Sequence, residues 1–516
     1  MIATLLMVAL LPSGTYHYDW SIGGHSVGSS TILVRRSGGT LDVGESGSLP
    51  GRTINSERKI REATFANLSY VADAGGKHIV LMFSGNDATL TVDGQNTTIA
   101  APAGAPFLVN DNMTAGFALI PATLATTGVK RFTMACLCGA FIAIPVTVTG
   151  QPTPPPQGGA PGEEGLSVDI AGQTATLWFH RGTFVLDRFE LPAQDLTVVL
   201  RSYDSAMAPL PKSVPPTPLP LPTPRYTSRD VSIQTDDGVK LAGTLTIPDA
   251  ASTPLPGFVL VHGSGCNERD ETIGPNKIFA QLANRLSNDG YAVLRYDKRS
   301  CGKSGGKFPV RDRLISDARD AIAYLRAQPG IDPKRIYVLG HSEGGELAPS
   351  IAIADGHLRG IVLLAPPALP LEQILKQQAL RNVSSANRAA TEKQVQAQLD
   401  AIASGKKLSA DNRWLQSSFG IDPVVLIARV PCPILILQGT KDIQVLPADT
   451  PRLVQAAQST HRDVTVVMVQ DDDHLFIKLP ADEASTGGEY FTPSYLDPAL
   501  FAAIETWLGS HGGSSV

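Results

Sequence analysis

Arg335-Ile-Tyr-Val-Leu-Gly-His-Ser-Glu-Gly-Gly345 decides how the second half of this chain folds. A strand pattern from Arg335 to Leu339 runs into Gly340-His-Ser-Glu-Gly344, and an apolar helical pattern follows through Ile353. Strand, G-x-S-x-G turn and helix in that order make a nucleophile elbow. The turn is so tight that a side chain at Gly340 or Gly344 would meet neighbouring backbone. The serine hydroxyl is lifted above the sheet, in front of a helix N-terminus that favours developing negative charge.

Outward from the elbow, apolar strands alternate with helical patterns. Upstream lie Gly257 to Val261, a helix around Lys277 to Asn288, Tyr291 to Tyr296, and a helix around Ile315 to Ala327. Downstream lie Gly360 to Ala365, Ile434 to Leu437 and Val464 to Val469. This alternation predicts an α/β fold, a mostly parallel sheet flanked by helices on both faces. Leu371 to Val430 is too long for a plain connection. It is expected as a helical cap over about residues 367–430, shaping a pocket, or else as helices packed on the sheet edge.

The Pro-rich stretch Pro209 to Pro224 favours extended polyproline II and reads as a linker over 206–225. The α/β unit then occupies 226–516. Ahead of the linker, residues 16–205 read as an all-β domain, with runs at Ser30 to Arg35, Ile79 to Phe83, Thr89 to Val92 and Thr174 to His180. Asp93-Gly94 is a turn signal, Ala118 to Ala125 a short helix, and Gln151 to Gly165 a loop. A length of 516 residues fits two such units.

Residues 1–15 hold an apolar run, Met1 to Pro12, that fits a secretory signal and is too short for the ~20 residues that span a bilayer. It lacks a preceding Lys or Arg, and a buried first strand is the alternative reading. Export, periplasmic or secreted, is the expectation, with the cytoplasm as the alternative. No later segment is long and apolar enough for a transmembrane anchor.

Hydrophobic residues at 43% and charged residues at 18% describe a globular chain. A net charge of −5 without a basic stripe gives phosphates nothing to pair with, so no nucleic-acid partner is expected. Five cysteines do not make a disulfide-dense scaffold. Cys136 and Cys138 are one residue apart, awkward for a mutual disulfide and insufficient for zinc. No metal site is expected.

The five-residue pattern recurs. Gly24-His-Ser26-Val-Gly28 lies between two β-like runs with no helix after it. Gly302-Lys-Ser304-Gly-Gly306 has no strand directly before it, and Asp297 stands where a phosphate loop needs glycine. Context selects Ser342.

A serine hydroxyl needs a base, and the base an orienting carboxylate. In this kind of elbow fold they follow in the order serine, acid, histidine. Ile434 to Leu437 runs into Gln438-Gly-Thr-Lys-Asp442, and Val464 to Val469 leads to Asp471-Asp-Asp-His474, so Asp442 and His474 both sit past strand C-terminal ends. His357 lies just past the elbow helix, His461 precedes its strand and His511 is in the terminal tail. Asp471, Asp472 and Asp473 are too near His474 in the chain to reach its ring from the correct side. They read as a solvated acidic turn rather than a cation site. The oxyanion hole is expected from the backbone N–H of Glu343 and one from Val261-His-Gly-Ser-Gly-Cys266, with Ser264 first and Gly265 next. His262 reads as structural.

These residues resemble the bacterial α/β-hydrolase carboxylesterases over roughly Thr227 to Gly509. The motifs are His262-Gly-Ser-Gly265 with Arg269-Asp-Glu271, Tyr296-Asp-Lys-Arg299 with Gly302-Lys-Ser304, Gly340-His-Ser-Glu-Gly-Gly345, Gln438-Gly-Thr-Lys-Asp442 and Asp473-His-Leu-Phe476. The resemblance implies an α/β-hydrolase fold with a helical cap, activity on acyl esters and no cofactor. Two departures stand out: Cys266 where many relatives carry proline, and Cys301 where they carry glycine. Both follow the ends of strands that are neighbours in the family's sheet. A disulfide bracing the oxyanion loop is therefore one expectation, and two unrelated small residues the other. Thr174 to Leu196 resembles, more faintly, the β half-barrel domains of envelope proteins, and the resemblance implies either a curved sheet that cradles a lipid or an acyl chain or an inert folding or docking module.

The expected activity is a serine hydrolase cleaving carboxylic esters through an acyl-enzyme, on a small-molecule substrate that includes lipid-like esters. The alternatives are a serine peptidase or aminopeptidase and an acyl thioesterase. Prolyl-oligopeptidase relatives carry a propeller needing about 300 residues, more than the N-terminal region supplies.

Overall fold

The computed structural model describes residues 11–511 except 50–51, 75–76, 85–86, 93–94, 101–106, 111–113, 138–140, 150–161, 171–172, 193–194, 208–209, 211–218, 250–253, 382–384, 406–409, 486 and 488. Two compact units emerge, one of Met1–Pro215 with Asn382–Thr391, the other of Pro216–Arg381 with Glu392–Val516.

The second unit is built on eight strands: β1 (Tyr226–Gln234), β2 (Lys240–Pro248), β3 (Leu255–Val261), β4 (Ala292–Tyr296), β5 (Ile331–His341), β6 (Gly360–Leu364), β7 (Ile434–Gly439) and β8 (Val464–Val469). Their order is β1-β2-β4-β3-β5-β6-β7-β8. The pairs β1–β2 and β2–β4 are antiparallel and all the others parallel. Side chains alternate across a strand. Val259, Val261, Ile336 and Val338 thus point into one core, with α2 (Arg311–Arg326), α3 (Glu343–Asp355) and α8 (Thr450–Ser459). Phe258, Leu260, Tyr337 and Leu339 point into the other, with α1 (Ile278–Asn288) and α9 (Pro498–Ser510). Both faces are covered, which is why these strands read as unbroken apolar runs.

Helix α2 begins earlier than its apolar pattern predicts. Its first residue, Arg311, is buried against Glu346 and Ser350, a polar contact that hydrophobic periodicity does not register. Between β6 and β7 lie α4 (Leu371–Leu380), α5 (Ser385–Ala403), α6 (Ala410–Ser418) and α7 (Pro423–Ile427). Helix α4 braces the loop after β7, through Gln378 to the Gln444 carbonyl at 3.0 Å and Arg381 to the Ile443 carbonyl at 2.9 Å.

The first unit carries a 15-stranded sheet among its described residues. Neighbouring strands are antiparallel except Phe107–Asn110, which runs parallel to Arg131–Leu137. Two short helices, Thr114–Ala118 and Ile120–Thr127, complete its core with Trp20, Phe117 and Phe189. The first strand begins at Gly14, and the Leu11 amide already donates to Thr183. Gly14 and Thr15 thus lie in the first strand and Leu11 packs in the core beside it, while residues 1–10 of the expected signal segment, the Asp93-Gly94 turn and Cys138 lie outside the described residues. Glu163–Gly165, expected as the end of a loop, open the strand Glu163–Ile170, because pairing with Trp178–His180 outweighs their weak strand propensity. A concavity of about 730 Å³ on this unit is lined by charge, including Arg35, Asp42, Glu57 and Lys59.

Candidate active site

Ser342 sits between β5 and α3 with φ 53° and ψ −116°. A Cβ on Gly340 would lie 2.1 Å from the Gly344 carbonyl oxygen, and one on Gly344 would lie 1.9 Å from that of Val261. No rotamer relieves a backbone clash, so both positions require glycine. The Ser342 amide donates to the Leu364 carbonyl at 2.8 Å, which pins the turn to β6. Of the competing serines, Ser26 is exposed in a strand just past a Gly-Gly hairpin turn. Ser304 donates to the Asp297 carbonyl at 2.7 Å and accepts the Ala242 amide at 2.9 Å.

His474 Nε2 lies 3.1 Å from Ser342 Oγ, and His474 Nδ1 lies 2.8 Å from Asp442 Oδ2. Asp442 is 2% exposed, and every other contact of its carboxylate is also with a donor. Oδ1 accepts the amides of Gln444 and Val445 at 2.7 and 2.9 Å, and Oδ2 accepts Gln438 Nε2 at 2.9 Å. Burial pushes the Asp442 pKa up. The charge and hydrogen bond of His474, with the Val445 amide and Gln438, outweigh it and leave the group below its ordinary value.

The loop after β3 approaches the elbow closely. A Cβ on Gly263 would lie 3.3 Å from Ser342 Cβ. The Gly263 amide is spent on Glu271 Oε1 at 2.6 Å, and its carbonyl accepts Lys298 Nζ at 2.6 Å and Asn267 Nδ2 at 2.9 Å. Neither the Ser264 nor the Glu343 amide has an acceptor among the described residues. Cys266 and Cys301 are joined by a disulfide with Cα atoms 5.4 Å apart, tying this loop to the one after β4. His262 is buried, its ring within 5.3 Å of Phe279 and Tyr296, and burial pulls its pKa down to about 4.

Asp472 and Asp473 are not in a solvated turn, for both are 0% exposed. Gly439 has no side chain, so its backbone packs on theirs, where a Cβ would lie 2.4 Å from the Asp472 carbonyl oxygen. Burial, then the facing Asp497, push Asp472 up to about 8, and burial is the main cause that raises Asp473 to about 7. No cluster of metal-ligating side chains occurs among the described residues.

Four polar groups beside the site were not singled out from the sequence. His341 and Glu271 are buried together, Lys298 pairs with Glu343 at 3.0 Å, and Trp414 from α6 donates to Glu343 Oε1 at 2.6 Å. His341, Glu271 and Lys298 each fall inside a motif quoted above, but their meeting is spatial. Trp414 carries no local signal.

An eight-stranded sheet in this order, with a serine elbow after β5, an acid after β7 and a histidine after β8, defines an α/β hydrolase. A family model described as BD-FAE matches residues 244–456. Esterase EstD of Thermotoga maritima is 34% identical over 279 residues, covering 52% of this chain and 65% of EstD, so the chain spans just under two thirds of that relative. The protein Rv2307c of Mycobacterium tuberculosis is 30% identical over 258 residues, covering 48% of this chain and 73% of Rv2307c. Among solved structures, the Pyrococcus furiosus esterase Pf2001 is 20% identical with a TM-score of 0.36, covering 50% of this chain and 88% of that one. The second unit of the chain is an α/β-hydrolase domain, and over it the chain is similar to an esterase.

Proposed function

We propose that this protein hydrolyses carboxylic esters through an acyl-enzyme on Ser342. The observation that carries this reading is the continuous relay from Ser342 Oγ through His474 to the buried Asp442 carboxylate. Ser342 Oγ attacks the ester carbonyl while its proton passes to His474 Nε2, and Asp442 stabilises the imidazolium that forms. The carbonyl oxygen becomes an oxyanion facing the two unengaged amides of Ser264 and Glu343. Collapse breaks the acyl–oxygen bond, and His474 returns the proton to the leaving alcohol. Water then repeats the sequence, releasing the acid and restoring the serine.

The esterase named among the relatives supports this choice of substrate class. The Cys266–Cys301 disulfide supports an oxidising compartment as the place of work. The test is a p-nitrophenyl ester chain-length series beside aminoacyl anilides and acyl thioesters. Wild type should prefer the oxygen esters, and Ser342→Ala should lose on the order of 10⁶ in kcat, as removal of a triad nucleophile does elsewhere. Turnover of an anilide or thioester exceeding that of every ester would overturn it.

A further inference from the structure

Two buried ionisable side chains stand beside the reacting atoms without a part in the relay. His341 and Glu271 are each 1% exposed and 70 residues apart in the chain. His341 Nδ1 lies 3.2 Å from Glu271 Oε1, and His341 Nε2 lies 3.0 Å from the backbone carbonyl oxygen of His474. Glu271 Oε1 also accepts the Gly263 amide at 2.6 Å.

With Glu271 ionised, the donor and acceptor inventory sets the charge state of His341. A carbonyl oxygen only accepts, and a carboxylate oxygen that already takes an amide proton also accepts. A neutral imidazole has one N–H and would set a lone pair against one of these two neighbours. An imidazolium has two and satisfies both. Burial alone would lower the His341 pKa, but the Glu271 charge and hydrogen bond, the His474 carbonyl and the Asp442 charge together raise it. Burial works upward on Glu271, while His341, His262 and the Gly263 amide hold it below its ordinary value. Facing the pair are also the His474 ring, 5.0 Å from that of His341, and Lys298 on the Gly263 carbonyl.

His341 immediately precedes Ser342, and its backbone is fixed in β5 opposite Leu364. We infer that His341 and Glu271 form a permanently ionised strut that positions the oxyanion loop, through Gly263, and the histidine loop, through the His474 carbonyl, against the nucleophile. This inference rests on the roles proposed above for Ser342, Ser264 and His474. His341 and Glu271 are positioning residues, because they act through the Gly263 amide and the His474 carbonyl. The strut explains why two charges are kept dry at this point. An ion pair in such a place contributes little net stability, but charge-assisted hydrogen bonds are short and directional. Acyl transfer is sensitive to the placement they enforce.

The test uses the full chain, p-nitrophenyl acetate and the variants His341→Gln and Glu271→Gln. A glutamine at 341 can donate from one nitrogen only, so one of the two loops is released. A glutamine at 271 keeps an oxygen for Gly263 but removes the charge. Both variants should lose about 10- to 100-fold in kcat, the scale of a 1 Å misplacement, with KM little changed. The acid limb of kcat in His341→Gln should move to higher pH, because a positive charge near the base has gone. Nitrogen-15 NMR of histidine-labelled wild type at pH 8 should show one histidine with both ring nitrogens protonated, well above the ordinary pKa of ~6.5. Wild-type kcat with an unmoved pH profile in His341→Gln, or no doubly protonated histidine at pH 8, overturns the strut. A wild type inert toward esters and toward a fluorophosphonate fails the esterase reading instead. The NMR signal decides the strut in that case, or if a variant does not fold.

Discussion

Replacing Asp442 by asparagine changes one oxygen to an NH2 group, and the structure dictates which one. Oδ1 accepts two backbone amides, from Gln444 and Val445, while Oδ2 faces Gln438 Nε2 and His474 Nδ1. Placing the new NH2 toward the amides would oppose two fixed donors. Placing it toward Gln438 and His474 opposes only side chains that can adapt, Gln438 by turning its amide and His474 by changing tautomer, so this orientation wins. His474 must then present a lone pair at Nδ1 and carry its proton on Nε2, where it points at Ser342 Oγ and can no longer accept. The base is held in the wrong tautomer, which is expected to lower kcat about 10⁴-fold, or about 5 kcal/mol of transition-state stabilisation. KM should change little, since Asp442 is buried and reaches no substrate. Steady-state kinetics on p-nitrophenyl acetate, together with the rate of fluorophosphonate labelling, should show the same loss. An Asp442→Asn variant that folds and keeps kcat within about tenfold of wild type would refute the tautomer argument, because such catalysis cannot come from a misoriented base.

Asp472 is held neutral in the folded state up to about pH 8 and Asp473 to about 7, whereas in the unfolded chain they ionise near ~3.9. Their contribution to stability is therefore full below about pH 4 and is lost as pH rises through the folded values. Asp472→Asn should raise the melting temperature at pH 9 and leave it nearly unchanged at pH 4; a variant less stable than wild type at pH 9 would contradict this. Cys266→Ser with Cys301→Ser should cost about 3–4 kcal/mol, as expected for closing a loop of 35 residues, and should lower kcat by freeing the oxyanion loop. Equal kcat for the reduced and oxidised protein would show that the disulfide does not constrain that loop. Trp414→Phe removes one hydrogen bond to a carboxylate and should lower kcat/KM by roughly 10-fold, read with the same ester. An unchanged value would detach α6 from the site.

Legibility in the sequence followed the range of the interactions. The elbow is local, a strand, a turn and a helix within about twenty residues, and its glycines answer to backbone atoms a few positions away or in the next strand. Asp442 and His474 could be placed because the strand alternation fixes which loops emerge at the same edge of a parallel sheet. His341 with Glu271, and Glu343 with Lys298 and Trp414, meet only after the sheet assembles. Nothing in a charged residue's neighbours marks it as buried. The run Asp471 to Asp473 shows this most clearly. Three consecutive carboxylates suggest water, yet the missing side chain at Gly439, in another strand, lets two of them turn inward. Helix α2 was foreshortened for a related reason, since its first turn is held by the buried polar contact of Arg311.

The engagement of Ser304 also has a practical consequence. Its hydroxyl closes one link to Asp297 and another to Ala242, so a second serine in the same five-residue pattern is occupied with holding backbone together. A fluorophosphonate offered to the native chain should therefore add one adduct per molecule, on Ser342. Uptake of such a reagent becomes a count of competent centres, and dividing rate by that count yields a turnover number independent of how much of a preparation is correctly folded.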